Sequence, residues 1–228
     1  MAFAGSEIEF ASDGERVRGY LALPPRGQGP GVLVLQEWWG LVDHIREVCD
    51  RLAREGFVAL APDLYRGEST VDPGVAGRLM LDLALPRAAR DLAGAATALL
   101  NHSAVSGGKL AAIGFCMGGQ LALYAAAQTP RISAVVDCYG IHPNVHVDYA
   151  SVKAAVMGVF AERDAYVPPA TVHQLEADLR AAGVLTEFTI YPGVDHAFLN
   201  DTRPDAYDAA TAQRAWGRIL SFLRAGLG

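Results

Sequence analysis

The sequence predicts an α/β fold: one mostly parallel sheet of about eight strands, with helices on both faces. Short apolar runs alternate along the chain with segments whose apolar residues recur every three or four positions, and this alternation is typical of parallel strands joined by helices. With 228 residues, of which 51% are hydrophobic, the chain can bury a full core. No linker, repeat or low-complexity tract divides it, so residues 1–228 are predicted to form a single domain.

The predicted sheet opens with an antiparallel hairpin, followed by buried strands and helices in alternation. The hairpin strands lie at 7–10 and 17–23 and are joined by the turn signal Ser-Asp-Gly-Glu at 12–15. Six buried strands are predicted at 31–35, 58–60, 110–113, 132–136, 154–160 and 186–191. Six helices are predicted from apolar spacing at 43–55, 73–83, 86–101, 117–128, 169–182 and 204–225.

Charge and composition argue against two classes of partner. The formal net charge is -6 and the chain has no clustered Lys and Arg with interleaved aromatic residues, which argues against binding nucleic acid or an anionic membrane. The segment 1–7 has no basic region followed by an apolar stretch, and no apolar run reaches the roughly 18 residues that span a bilayer. A cytoplasmic location is therefore expected.

The three cysteines are expected to be reduced thiols. Their odd number and wide spacing fit neither a disulfide framework nor a Cys-x-x-Cys metal site. Cys49 lies at apolar spacing on a predicted helix and Cys138 at a strand end, where both are expected to be small core residues. His142 and His146 are four residues apart, but no Glu follows His142 and Pro143 disfavours a helix there. No metal site is predicted.

Cys116 has the sequence context of a nucleophile. It lies in Gly-Phe-Cys-Met-Gly-Gly at 114–119, between an apolar strand and a helix. A strand that becomes a helix within one residue strains that residue, and glycines two positions before and after it permit close approach of the neighbouring chains. The thiolate is then held at a helix N-terminus, where free N–H groups favour negative charge.

Asp164 and His196 complete a predicted catalytic triad. Each follows a buried strand, so both are expected at the sheet edge where open α/β sheets bind ligands. The chain order nucleophile, acid, histidine is that of α/β-hydrolases. The other five histidines lack such a strand-end position. Glu162, two residues before Asp164, is a rival for the acid, and Asp195 is interpreted as a turn residue.

Five motifs make the chain resemble the dienelactone hydrolase family, the cysteine-dependent branch of the α/β-hydrolases. They are Gln-Glu-Trp-Trp-Gly at 36–40, Ala-Pro-Asp-Leu-Tyr at 61–65, the elbow at 114–119, and the loops that carry Asp164 and His196. The resemblance covers nearly the whole chain in the expected order. It implies an α/β-hydrolase fold, no cofactor, and a small-molecule ester or lactone as substrate.

The resemblance also implies a role for each site residue. Cys116 attacks the substrate, His196 handles the proton and Asp164 orients the imidazole. Glu37 contacts the resting thiol and swings away when substrate binds, so that the thiolate forms only in the complex. The sequence itself marks Glu37 as unusual, since a half-buried carboxylate after the apolar strand at 31–35 needs a proton or a specific partner. The open alternative is an exposed loop charge.

The chemistry of a thiol nucleophile narrows the substrate class. The backbone N–H groups of Met117 and Trp38 are expected to form the oxyanion hole, the first from elbow geometry and the second from loop position. A thiolate leaves a tetrahedral intermediate more readily than an alkoxide does, so a cysteine hydrolase is expected to prefer activated acyl groups. Enol lactones such as dienelactone, aryl esters and thioesters meet this requirement.

One position departs from the family pattern. Members that bind the anionic lactone tend to carry an arginine four residues after the histidine, where this chain has Asn200, and another after the fourth strand, where Arg78 and Arg87 are the candidate substitutes. Without these strong anion contacts, a neutral and more aromatic substrate is the alternative. The candidate substrate-binding residues are Trp38, Trp39, Tyr65, Arg78, Tyr139, Phe198 and Asn200.

Two other classes of function remain open. A thiol redox sensor also uses an activated cysteine, but it would need Cys138 close to Cys116 as a resolving thiol. A non-catalytic binding module would show a broken triad, whereas nucleophile, acid and base are all present here. The chain is expected to act as a monomer or a weak homodimer.

Overall fold

The protein forms one sheet of eight strands across residues 5–228, which are the residues that the computed structural model describes. Residues 1–4 lie outside the described part of the chain. They belong to the segment 1–7, whose sequence was considered as a possible leader. The strands are β1 (Ser6–Ser12), β2 (Glu15–Ala22), β3 (Gly29–Leu35), β4 (Val58–Pro62), β5 (Val105–Phe115), β6 (Ile132–Cys138), β7 (Ala155–Ala161) and β8 (Thr186–Tyr191).

The strand order in space is β1-β2-β4-β3-β5-β6-β7-β8. The first hairpin is antiparallel and β2 pairs antiparallel with β4, whereas every pairing from β4 to β8 is parallel. Central strands such as β4 are buried along their whole length, because helices cover both faces of a parallel sheet. The mostly parallel, eight-stranded α/β sheet is confirmed.

Six helices cover the two faces of this sheet. Side chains of α1 and α6 pack in one apolar cluster with one face of the strands, while α3 and α4 pack in a second cluster with the other face. The helices are α1 (Asp43–Arg54), α2 (Pro73–Leu81), α3 (Leu85–Leu100), α4 (Met117–Gln128), α5 (Pro169–Ala181) and α6 (Ala209–Leu227). Within residues 5–228, none of the helices combines the length and apolar character that crossing a bilayer requires.

Most elements lie within about two residues of their predicted bounds, but two begin five residues away from the predicted start. The last helix begins at Ala209 rather than at 204, because the Asp208 side chain accepts a hydrogen bond from the Thr211 N–H and so caps the helix there. Strand β5 begins at Val105, five residues before the predicted start. The first half of the strand was not predicted because it is largely exposed and lacks an apolar pattern. A short 3-10 helix at Tyr149–Ser151 has no counterpart among the predicted elements.

Candidate active site

Cys116 lies at the sharp turn between β5 and α4. Its backbone has a φ of 52° and a ψ of -125°, in the region that residues other than glycine rarely adopt. A Cβ atom on Gly114 would lie 1.8 Å from the Gly118 carbonyl oxygen, and one on Gly118 would lie 2.4 Å from the Leu35 oxygen. Gly114 is therefore required for the close contact between β5 and the first turn of α4, and Gly118 for the contact of that turn with the end of β3.

Asp164 and His196 form a hydrogen-bonded pair beside this turn. The imidazole Nδ1 lies 2.7 Å from Asp164 Oδ2. The other carboxylate oxygen accepts hydrogen bonds from the N–H groups of Tyr166, at 2.8 Å, and Val167, at 2.9 Å. The rival acid Glu162 is exposed and accepts a hydrogen bond from the Gly193 N–H instead. The geometry therefore assigns the carboxylate partner of His196 to Asp164.

The charges of this pair support each other. Burial disfavours a protonated imidazole, but hydrogen bonds to Asp164 and Cys116 outweigh it and raise the pKa of His196 to about 10. Burial would also raise the pKa of Asp164, yet its hydrogen bonds with His196 and two backbone amides hold that pKa below its usual value. An ionised Asp164 thus favours an imidazolium at His196, and this ring borders the same cavity as Cys116.

Glu37 has a specific partner, and that partner is Asn200. The carboxylate is buried, with 1% of the residue exposed, and its Oε2 accepts a hydrogen bond of 2.9 Å from the Asn200 side-chain amide. The Asn200 oxygen in turn accepts hydrogen bonds from the N–H and hydroxyl of Thr202, which orients its NH₂ group toward Glu37. Asn200 therefore provides the partner of a buried carboxylate, and the alternative of an exposed loop charge is excluded.

Met117 and Trp38 are the residues whose backbone N–H groups are expected to form the oxyanion hole. Met117 occupies the first position of α4, where a helical N–H has no intrahelical acceptor. Trp38 lies in the turn after β3, and its N–H has no hydrogen-bond partner within residues 5–228. Trp38 borders the cavity that contains Cys116, and Met117 directly follows Cys116 in the chain.

Of the predicted substrate-binding residues, the structure brings two to the cavity that contains the triad. A cavity of about 230 Å³, here called the catalytic cavity, is bordered by Cys116, His196, Glu37, Trp38 and Trp39. The others lie elsewhere. Tyr65, Tyr139 and Phe198 are buried core residues, Arg78 is exposed on α2, Arg87 is half-buried on α3, and Asn200 is occupied by Glu37.

The buried aromatic residues support the site from behind. The Tyr139 ring lies 5.0 Å from the His196 ring and 6.0 Å from Phe198, so it packs under the imidazole. The Tyr65 hydroxyl donates to the Met117 sulfur at 3.2 Å. Tyr65 and Tyr139 are thus packing residues. Their sequence positions near strand ends did not distinguish packing in the core from contact with substrate.

The sequence did not predict several residues that border the catalytic cavity, and Tyr166 and Arg203 are the two with polar side chains. Tyr166 is exposed, its ring lies 5.1 Å from that of His196, and it borders the catalytic cavity. Arg203 also borders the cavity, with its Nε and Nη2 paired to the two carboxylate oxygens of Asp205 at 3.1 and 2.9 Å. The sequence signal that could have identified Arg203 is its position seven residues after His196, because the loop after β8 carries both residues to the same cavity.

The other two cysteines are buried, and one of them, Cys138, lies next to Cys116, since its carbonyl oxygen accepts a hydrogen bond of 3.0 Å from the Cys116 N–H. Cys49 and Cys138 are free and fully buried, and burial strongly raises the pKa of the Cys138 thiol, which disfavours a resolving role. His142 accepts a hydrogen bond from the Asn144 N–H, and its Nε2 lies 3.1 Å from the Met80 carbonyl oxygen. In the described part of the chain, no three His, Cys, Asp or Glu side chains are arranged to hold a metal ion.

The sequence relationships agree with this geometry. A family model for the dienelactone hydrolase family matches residues 17–227. The chain belongs to the dienelactone hydrolase family. It is 38% identical to Protein usf of Aquifex pyrophilus, over 96% of this chain and 98% of that protein. It is 35% identical, over the same shares, to an Aquifex aeolicus protein provisionally named carboxymethylenebutenolidase.

Solved structures of the family have the same fold. A provisionally assigned dienelactone hydrolase from Klebsiella pneumoniae superposes with a TM-score of 0.88 and 31% identity, over 96% of this chain and 98% of that one. A dienelactone hydrolase-like promiscuous phosphotriesterase from metagenomic libraries superposes with a TM-score of 0.89 and 26% identity, over the full length of both chains. The α/β-hydrolase fold and membership among the carboxylic ester hydrolases are therefore confirmed.

Proposed function

We propose that the protein hydrolyses activated esters or lactones through a thioester on Cys116. The observation that carries this proposal is the Asp164–His196 pair at 2.7 Å, placed beside a cysteine at the strained start of α4. This arrangement supplies a nucleophile, a group that holds its proton, and a carboxylate that orients that group.

The reaction then has two halves. The Cys116 thiolate attacks the carbonyl carbon while His196 holds the thiol proton, and the N–H groups of Met117 and Trp38 donate to the developing oxyanion. Collapse breaks the bond to the leaving oxygen or sulfur, which takes the proton from His196. Water next attacks the thioester and gives a proton to His196. The thiolate leaves, and the carboxylic acid product is released.

Glu37 has a place in this proposal as the residue that tunes the thiol. It borders the catalytic cavity with Cys116, and a buried negative charge there disfavours a thiolate. Its hydrogen bond from Asn200 fixes where that charge lies. Glu37→Gln should therefore shift the pH profile of Cys116 alkylation by iodoacetamide to lower pH. An unchanged profile would remove Glu37 from the mechanism.

A neutral aryl ester or thioester is the second candidate substrate class. Arg203 is paired with Asp205, and the Asn200 amide is occupied by Glu37. The polar groups closest to the family's usual anion site are thus already committed within the protein. This favours an uncharged substrate over the anionic dienelactone.

The proposal is tested by comparing substrates on wild type and Cys116→Ala. Hydrolysis of p-nitrophenyl acetate, an aryl thioester, and cis- and trans-dienelactone would be followed side by side. Turnover that depends on Cys116 supports the mechanism, and faster turnover of dienelactone than of the aryl ester assigns the anionic substrate. Equal activity in the alanine variant would refute the thioester route.

A further inference from the structure

A second, larger cavity lies next to the catalytic cavity. It has a volume of about 670 Å³, compared with about 230 Å³ for the cavity that contains Cys116. Glu37, Trp39, Pro73 and Arg203 border both spaces. The two cavities are therefore neighbours with four bordering residues in common. Beyond these residues, the larger cavity offers space into which a molecule bound at Cys116 would extend.

Two of the four shared residues, Trp39 and Arg203, lie next to each other. The Arg203 guanidinium carbon lies 5.7 Å from the centre of the Trp39 ring, and 39% of the Arg203 side chain is exposed. The Trp39 main chain is held in place, since its carbonyl oxygen accepts a hydrogen bond from the Thr70 N–H at 3.0 Å. The main chain of Trp39 is thus fixed by its hydrogen bond, whereas the Arg203 side chain beside it is partly exposed to solvent.

The charged groups around the larger cavity already have partners. Arg46 donates to Glu7 and to the Leu41 carbonyl oxygen, and Arg203 pairs with Asp205. The other walls include the apolar side chains of Leu41, Val42, Val71 and Pro73. A cavity whose charged groups are paired within the protein and whose lining includes these apolar side chains suits an uncharged alkyl or aryl group.

The position of His196 decides which end of an ester faces the larger cavity. His196 borders the catalytic cavity but not the larger one. Because His196 protonates the leaving group, that group lies on the histidine side of the carbonyl carbon. The acyl group then extends away from His196, toward the larger cavity that His196 does not border.

We propose that the larger cavity is an acyl subsite that holds the uncharged alkyl or aryl end of an ester whose carbonyl lies at Cys116. This inference rests on the proposed function, because it assumes that Cys116 is acylated. It predicts that substrates with longer acyl groups are better substrates, since burial of each additional methylene raises kcat/KM by up to about fourfold.

The test uses p-nitrophenyl acetate, butanoate, hexanoate and octanoate with one common leaving group. Wild type should show kcat/KM rising from acetate to octanoate. Thr70→Trp fills the larger cavity from the segment that holds Trp39, and it should lower the octanoate-to-acetate ratio at least tenfold. Thr97→Trp, at an exposed position of α3, is the matched control and should keep the wild-type ratio.

A second filling variant keeps the test decisive if Thr70→Trp does not fold. Val42→Phe fills the same cavity from the start of α1 and should lower the ratio in the same direction. The inference is overturned if the octanoate-to-acetate ratio is the same in a folded filling variant and in Thr97→Trp, or if wild type fails to favour the longer esters. Absence of any Cys116-dependent turnover of acetate would instead refute the proposed function.

Discussion

Replacing Asp137 with asparagine should make the folded protein more stable above pH 7. Asp137 lies in β6 one residue before its end and is fully buried. A Cβ atom on Gly119 or on Gly140 would lie 2.1 Å from its Oδ1, so the carboxylate is confined between the first turn of α4 and the turn after β6. Within residues 5–228 neither carboxylate oxygen has a hydrogen-bond partner of good geometry.

The size of the effect follows from the pKa of this carboxyl group. Burial raises the pKa of Asp137 from 3.8 to about 7, and the Gly140 amide offsets burial only in part. The folded protein therefore binds a proton that the unfolded chain releases between these two values, and stability falls as pH rises from about 4 to about 7. At about 1.4 kcal/mol per pKa unit, ionised Asp137 costs the folded state up to about 4 kcal/mol above pH 7.

Urea denaturation at pH 5, 6, 7 and 8 measures this effect. The difference in unfolding free energy between Asp137→Asn and wild type should grow from pH 5 to pH 7 and then level off. Asp195→Asn, at an exposed position, is the control and should give a small difference that does not change with pH. A constant difference for Asp137→Asn across this range would refute the account of a buried, ionisable Asp137.

Three further predictions concern the site itself. Asp164→Asn should lower kcat/KM for p-nitrophenyl acetate by about 10³- to 10⁴-fold, because His196 loses the carboxylate that orients it; a loss below tenfold would contradict this. Asn200→Ala should lower the free energy of unfolding by about 2 kcal/mol, because a buried carboxylate loses its hydrogen bond, and a change below about 0.5 kcal/mol in urea denaturation would contradict it. Since the pKa of His196 is raised to about 10, the stability that its charge contributes should be intact below about pH 6.5 and lost as pH rises through 10. Thermal unfolding of wild type and His196→Ala would measure this, and parallel pH profiles would contradict it.

The fold was predictable from the sequence because its signals are local. Apolar runs and helical spacing identify the eight strands and six helices, and the glycines around Cys116 identify the turn that carries it. The two misplaced boundaries, at the starts of α6 and β5, also have local causes. The capping role of Asp208 and the exposed first half of β5 have no apolar signal, so both element boundaries were placed incorrectly.

The composition of the cavity was less predictable, because it depends on how side chains meet across distant loops. Tyr139 and Phe198 follow strand ends just as Trp38 does, yet their rings point into the core. Asn200 was assigned to substrate, but Glu37, which is 163 positions away in the chain, occupies its amide. Arg203 borders the cavity because of the conformation of the loop between β8 and α6, and the sequence of that loop has no regular pattern that predicts this conformation.

At Cys116, where the backbone is strained, stability and activity favour different residues. With a φ of 52°, this residue would be relieved of strain by glycine alone among the natural amino acids. Cys116→Gly could therefore gain conformational free energy while it abolishes every reaction that requires a thiol. Selection for a more durable molecule would act on this residue in the direction that removes its chemistry, so any gain in robustness without loss of activity has to come from other parts of the chain.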